Sequence, residues 1–309
     1  MRHAVVLVPC TCGELVQGMV GGEPFLVSCP IDRYSRVRVT LGMAPPSNRL
    51  TSAKAVRAAA ATLESIGLGG EPFTLEASCP LPPSRGFGTS TADVAGAIVA
   101  TAAAAGVALS PTEVARLAVA VEPSDSSMFP GLGLLAHRTG RLSESLGPAP
   151  SLLMVVLEFH GDVDTLEYNA RLNLDRLRSM EPDHLRALDL LREGLRMREP
   201  ELVGEAATLS ARANQPFLPK PELETVIALG RDCGALGICA AHSGTVLGVL
   251  FEPGAGRKAR KLLGMAGSRI EGLSNSWMTR MVGGGVGILA VSDQNERFPT
   301  PVAAIVPSM

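Results

Sequence analysis

Lysine is scarce in this chain: only Lys54, Lys220, Lys258 and Lys261 occur among 309 residues, and none lies in a glycine-rich loop. That argues against a Walker-type phosphate site, whose lysine follows its glycines directly. Long apolar runs are also missing, since no uninterrupted hydrophobic stretch reaches bilayer-spanning length. The start, Met1-Arg2-His3 and the apolar residues 4–8, breaks at Pro9 before a signal-peptide core is complete, so a cytoplasmic protein is expected. Charge of one sign is not in excess: 28 Lys and Arg face 30 Asp and Glu, a formal net charge of −2. Nothing in that balance calls for a nucleic acid or an anionic membrane as partner, and a small-molecule ligand fits better. A homodimer is neither required nor excluded.

Paired metal-ligand spacing is absent too. The six cysteines, Cys10, Cys12, Cys29, Cys79, Cys233 and Cys239, are scattered in apolar or loop settings. Cys10-Thr11-Cys12 is too tight for a zinc knuckle. Buried, reduced thiols are the expectation. There is no internal repeat and no low-complexity tract.

What is present is a globular composition, 46% hydrophobic, long enough for one large or two medium domains. A Gly, Pro and Ser-rich stretch at residues 141–150 reads as a boundary, giving halves at 1–150 and 151–309. Short strands are expected at residues 3–8, 24–28, 34–41 and 73–77, and helices at 51–66, 89–105 and 111–122, the last started by Ser110 as cap and Pro111 in its first turn. Beyond the boundary, a strand at 152–159 is followed by charged helices from 165 to 213, broken near Pro182 and Pro200. A helix from 221 to 233 leads to strands at 237–241 and 246–251. A helix at 255–263 and strands at 276–282 and 286–291 complete the pattern, with surface chain after Asp293.

Chemistry concentrates in two places. Pro82-Pro83-Ser84-Arg85-Gly86-Phe87-Gly88-Thr89-Ser90-Thr91 runs straight into an Ala-rich helix. The glycines let a ligand approach the main chain, Thr89 or Ser90 can cap the helix, and the helix N-terminus favours a phosphate. An ordinary capped helix after a Pro-rich loop is the other reading. The second place is Glu122-Pro123-Ser124-Asp125-Ser126-Ser127, a dense polar run after an apolar helix; an exposed capping loop is its plain alternative. His242-Ser243 invites a nucleophile-and-base reading, but no elbow motif or third member accompanies it.

These segments together resemble the GHMP small-molecule kinases. The family's central motif, Pro, three variable residues, then Gly-Leu-Gly-Ser-Ser-Ala, stands here at residues 82–92 with Phe87 for Leu and Thr89 for the first Ser. The first motif is similar to residues 9–18, and the third to residues 237–244, with a reduced glycine run. Within the family the resemblance is to amino-acid kinases, carried by residues 12–18, 27–32, 90–93, 122–125 and 214–221. It implies an α+β, two-domain GHMP kinase fold, with a ribosomal-S5-domain-2-like N-terminal half and a ferredoxin-like C-terminal half.

The implied activity is phosphoryl transfer from ATP to the side-chain hydroxyl of an amino acid, L-threonine first and homoserine second, with the product used in the aminopropanol linker of cobalamin. A family member that keeps the fold only for binding is the alternative of another class. By resemblance, Pro83, Ser84, Arg85, Gly86, Phe87, Gly88, Thr89, Ser90 and Thr91 would wrap the ATP phosphates. Ser90 and Glu122 would hold Mg²⁺, and Asp125 would receive or orient the substrate proton. Glu14 or Asp32 would face the substrate ammonium and Arg280 its carboxylate, with Ser28, Asn214, Ser243 and Gly244 also lining the substrate end. Read by themselves, Asp32 equally caps a turn and Arg280 equally pairs on a strand edge.

Overall fold

In the computed structural model, which describes residues 2–43, 52–161 and 173–293, two long antiparallel strands form the spine. They are β1 (Arg2–Val20) and β2 (Glu23–Leu41), joined by a turn at Gly21 and Gly22, both at positive φ. The other strands are β3 (Phe73–Ser78), β4 (Leu132–Leu135), β5 (Ser143–Gly147), β6 (Leu153–Phe159), β7 (Gly237–Ala240), β8 (Leu247–Phe251), β9 (Leu273–Arg280) and β10 (Gly287–Asp293). One mixed-length sheet runs β5-β4-β2-β1-β7-β8-β6-β9, with β3 added to β2 and β10 to β1. Every paired register is antiparallel. The sheet crosses the stretch at 141–150, where β5 occupies part of the expected linker.

Two expectations about the spine are corrected. Pro9 does not end a strand, and residues 24–28 and 34–41 are not separate strands but parts of β2. The reason is that β1 passes Pro9 by irregular pairing: its register with β2 shifts between Pro9 and Thr11, Thr11 and Glu14, and Glu14 and Val16. Proline lacks an amide donor and is accommodated where the ladder is interrupted. The irregular stretch has a use, because its free amides turn toward the glycine loop: Thr11 N–H donates to Phe87 O at 2.8 Å and Gly13 N–H to Gly86 O at 3.1 Å.

The helices are α1 (Ala53–Ser65), α2 (Thr89–Ala104), α3 (Pro111–Val121), α4 (Leu174–Ser179), α5 (Glu181–Met197), α6 (Pro200–Ala213), α7 (Leu223–Asp232) and α8 (Gly256–Arg269). Alanine dominates the buried residues of α2, and a Cβ built at its Gly96 would lie 2.5 Å from Val37 Cγ2. Small side chains thus let α2 sit close on the spine and fix where its N-terminus points. Ser110 caps α3 and Pro111 stands in its first turn, as expected, and Glu113 makes the cap reciprocal. α8 runs to Arg269, beyond the expected end at residue 263. On the other flank, His184 Nδ1 of α5 accepts from Met19 N–H at 3.2 Å and Ser210 Oγ of α6 from Gln17 N–H at 2.9 Å, which ties the second half onto β1. The helical start expected at residue 165 and the tail after 293 lie outside the described residues.

All six cysteines are free thiols, five buried and Cys79 half-buried. Among the described residues no cluster of His, Cys, Asp or Glu is arranged to hold a metal. No described helix is long and apolar enough to cross a membrane.

Candidate active site

A cavity of about 560 Å³ opens at the N-terminus of α2. Its lining brings together Pro83, Ser84, Gly86, Phe87, Gly88, Thr89, Ser90 and Thr91 from the loop, Glu122 and Asp125 from the segment after α3, Glu14 from β1, and Ser243. Neither Thr89 nor Ser90 caps α2. Gly88 does so in the left-handed region at φ 62°, without a side-chain bond. This correction has a physical reason: a left-handed residue is needed to swing the chain into the helix, which glycine adopts at little cost, and it leaves both hydroxyls inside the first turn. Ser90 is thereby free to donate from Oγ to Glu122 Oε1.

Glu122 sits at the C-cap of α3 and is almost fully buried. Its second oxygen, Oε2, is ion-paired with the ammonium of Lys54. Lys54 lies in the first turn of α1 and was not singled out by the sequence, where it reads as one polar position on an Ala-rich helix. Only the spatial approach of α1 to α3 reveals it.

Asp125 is half-buried in the cavity wall, with its backbone N–H donating to Thr91 Oγ1 at 3.1 Å. Its carboxyl pKa is pushed up to about 6, chiefly because burial disfavours the charge and secondly because Glu122 is near; the Thr11 hydroxyl beside it opposes both. A carboxylate with that affinity for protons, facing a cavity, is suited to proton transfer near neutral pH. A Cβ at Gly88 would fall 2.3 Å from Asp125 Oδ2 and 2.6 Å from Thr11 Oγ1. Gly88→Ala is therefore expected to lower turnover at least about tenfold by displacing Asp125, and to destabilise the fold by about 1–2 kcal/mol through its left-handed backbone. Steady-state kinetics and thermal unfolding of that variant check both.

Glu14 lies at the far end, buried, with Oε2 accepting from His242 N–H at 2.6 Å. Burial pushes its carboxyl well above the usual range and Asp125 adds to this, while the His242 amide and Lys220 pull it down. Lys220 is buried beside it, donating from Nζ to Ala241 O at 2.8 Å, and burial lowers its pKa to about 8. His242 Nδ1 is 2.7 Å from Gln17 Oε1, and burial holds the ring neutral. The ring is thus paired with Gln17, while the backbone amide of the same residue holds Glu14.

The remaining sequence candidates lie elsewhere. Arg85 donates to Phe159 O at 2.8 Å, and its carbonyl accepts from Thr245 and Val246. Gly244 packs on that turn, where a Cβ would come 2.3 Å from Arg85 O. Ser28 and Ser126 exchange hydrogen bonds at 3.0 Å and join β2 to the segment after α3. Asp32 accepts from Thr279 Oγ1 and from Arg33 at 3.0 Å. Arg280 lines a separate cavity of about 140 Å³ with Leu152, Leu153 and Pro253. Asn214 is buried at the end of α6, its Nδ2 without a hydrogen-bond partner among the described residues.

A helix N-terminus entered through a glycine loop, with a hydroxyl, a buried carboxylate and a proton acceptor around it, is the donor set of a phosphoryl-transfer site. The comparisons agree with that class. The description of the GHMP kinases N terminal domain matches residues 53–130, and that of the GHMP kinases C terminal matches residues 187–263. An L-threonine kinase of Salmonella typhimurium is 34% identical over 290 residues, 92% of this chain and 95% of that protein. An L-threonine kinase of Citrobacter freundii is 33% identical, covering 81% and 86%. A solved homoserine kinase from Cytophaga hutchinsonii superposes with a TM-score of 0.68 at 16% identity, covering 93% of this chain and 97% of that one; at that identity it bears on the fold alone. The chain belongs to the GHMP kinases.

Proposed function

We propose that this protein transfers the γ-phosphoryl group of ATP to the side-chain hydroxyl of L-threonine, giving O-phospho-L-threonine and ADP. The observation that carries the reading is the convergence of Ser90, Glu122 and Asp125 at the N-terminus of α2 within one cavity. The names of the two relatives supply the substrate.

In this reading the backbone of residues 86–90 cradles the phosphates, and the first-turn amides of α2 favour their charge. Ser90 Oγ and Glu122, a hard oxygen pair, would hold Mg²⁺; the Lys54 ammonium on the same carboxylate supports that reading. When bound, the metal would offset charge on the phosphate oxygens. Asp125 accepts the substrate hydroxyl proton as the new O–P bond forms and the bond to the ADP oxygen breaks. Glu14 meets the substrate ammonium. Its raised proton affinity falls when a cation arrives, because an adjacent positive charge favours the carboxylate form. Arg280 is left out of this scheme, since it lines the other cavity. We further place the reaction in the cytoplasm, and its product in the supply of the aminopropanol linker of cobalamin.

A panel of phosphate-transfer assays with L-threonine, L-serine, L-homoserine or no alcohol tests the proposal. L-Threonine is expected to give the highest kcat/KM. Highest activity on homoserine would move the substrate by the methylene-scale difference a pocket resolves, about 1–3 kcal/mol. Transfer to none of them would sink the proposal.

A further inference from the structure

The cavity has an electrostatic imbalance. Its described lining carries four carboxyl groups, Glu14, Asp93, Glu122 and Asp125, and one lysine, Lys54. Arg85, the basic residue within the loop, has its guanidinium on the Phe159 carbonyl, and burial keeps His242 neutral. A triphosphate brought to this site arrives with several negative charges of its own.

Lys54 is the cation placed to meet it. Its ammonium is ion-paired with Glu122 Oε2, while Oε1 of the same carboxylate accepts from Ser90, so a single carboxylate separates Lys54 from the first turn of α2. One third of its side chain is exposed, toward the cavity that it lines. The local setting gives no helix-forming reason for a lysine here. Residue 54 stands in the first turn of α1, where the helix dipole disfavours a cation, no acidic residue occupies that turn, and Ser52 makes no capping bond. A lysine stem is flexible and its head is a point charge with three donors, which suits transfer between two anions.

We propose that Lys54 is a nucleotide-binding residue that leaves Glu122 Oε2 for the phosphate oxygens when nucleotide binds, releasing that carboxylate oxygen. This rests on the kinase reading and goes beyond it by assigning the cation that Gly-loop kinases of Walker type draw from the loop itself. In the free protein the ion pair with Lys54 and the bond from Ser90 orient the Glu122 carboxylate. In the nucleotide complex the same ammonium offsets phosphate charge.

The test is equilibrium binding of adenosine, ADP and the non-hydrolysable β,γ-imido analogue of ATP to the full chain and to its Lys54→Met and Lys54→Arg variants. Binding of the analogue by the unaltered chain checks the kinase reading separately; if the chain binds no nucleotide, that reading fails rather than this assignment. For Lys54→Met, affinity for the analogue is expected to fall about 10–100-fold, the range for one charge-assisted hydrogen bond. Adenosine affinity should stay within about twofold, and Lys54→Arg should recover most of the loss. Unchanged or tighter analogue binding by Lys54→Met would overturn the assignment. So would equal weakening of adenosine and analogue, which marks a packing role, as would a Lys54→Arg variant as weak as Lys54→Met.

Discussion

Asp125→Asn is expected to lower turnover by roughly 10²–10⁴-fold, the contribution typical of a positioned general base, while nucleotide affinity stays close to that of the unaltered protein. The amide keeps the shape of the side chain and its place beside Thr11 but cannot take a proton. The pH dependence gives a second check. A group with a pKa of about 6 in the free protein is protonated, and inactive as a base, below that pH. The acidic limb of kcat/KM should therefore rise through pH 6 to a plateau above it, and the limb should vanish in Asp125→Asn. Near-normal turnover of the variant would remove Asp125 from the chemistry and leave a mechanism resting on orientation and charge offset alone.

The parts of this site that were legible in the sequence are those whose chemistry is local. Glycines spaced around hydroxyls before an Ala-rich helix announce an anion site because backbone amides and helix dipole act within a few residues of each other. Glu122 and Asp125 stood out because carboxylates crowd directly after an apolar helix. Lys54 was not legible, since its meaning depends on α1 and α3 meeting across 68 residues of chain. The partner of Arg85 was not legible either: it sits inside the motif, yet the carbonyl its guanidinium meets belongs to β6, 74 residues away. In the fold, short apolar runs and, at β3 and the second part of β2, period-two alternation found most strand cores, though not β4 or β5. They missed that residues 3–20 form one strand, because proline reads as an end wherever the partner strand's bulges are unknown. Those same bulges free the Thr11 and Gly13 amides that hold the glycine loop, so the stretch of β1 that is hardest to read is also the one that positions this loop.

Glu122→Gln is expected to lower kcat/KM by about 10²–10³-fold, the cost typical of losing one electrostatic partner of a transition state, and to move half-saturation by Mg²⁺ to higher concentration. The substituted amide still accepts from Ser90 through its carbonyl, so geometry at α2 is retained while the charge is lost. A purely structural Glu122 would predict a different pattern, with a fall in thermal stability and no change in the metal requirement. The coupling to Asp125 separates the two further. The Glu122 charge is the second cause of the raised Asp125 pKa, after burial; removing it lets Asp125 ionise more readily, and the acidic limb of the residual activity should shift below pH 6. Burial is unaltered by the substitution, so the limb should move only part of the way to the ordinary carboxylate value. An unmoved limb would mean that Asp125 is tuned by desolvation alone, and that the two carboxylates act at the site as independent groups.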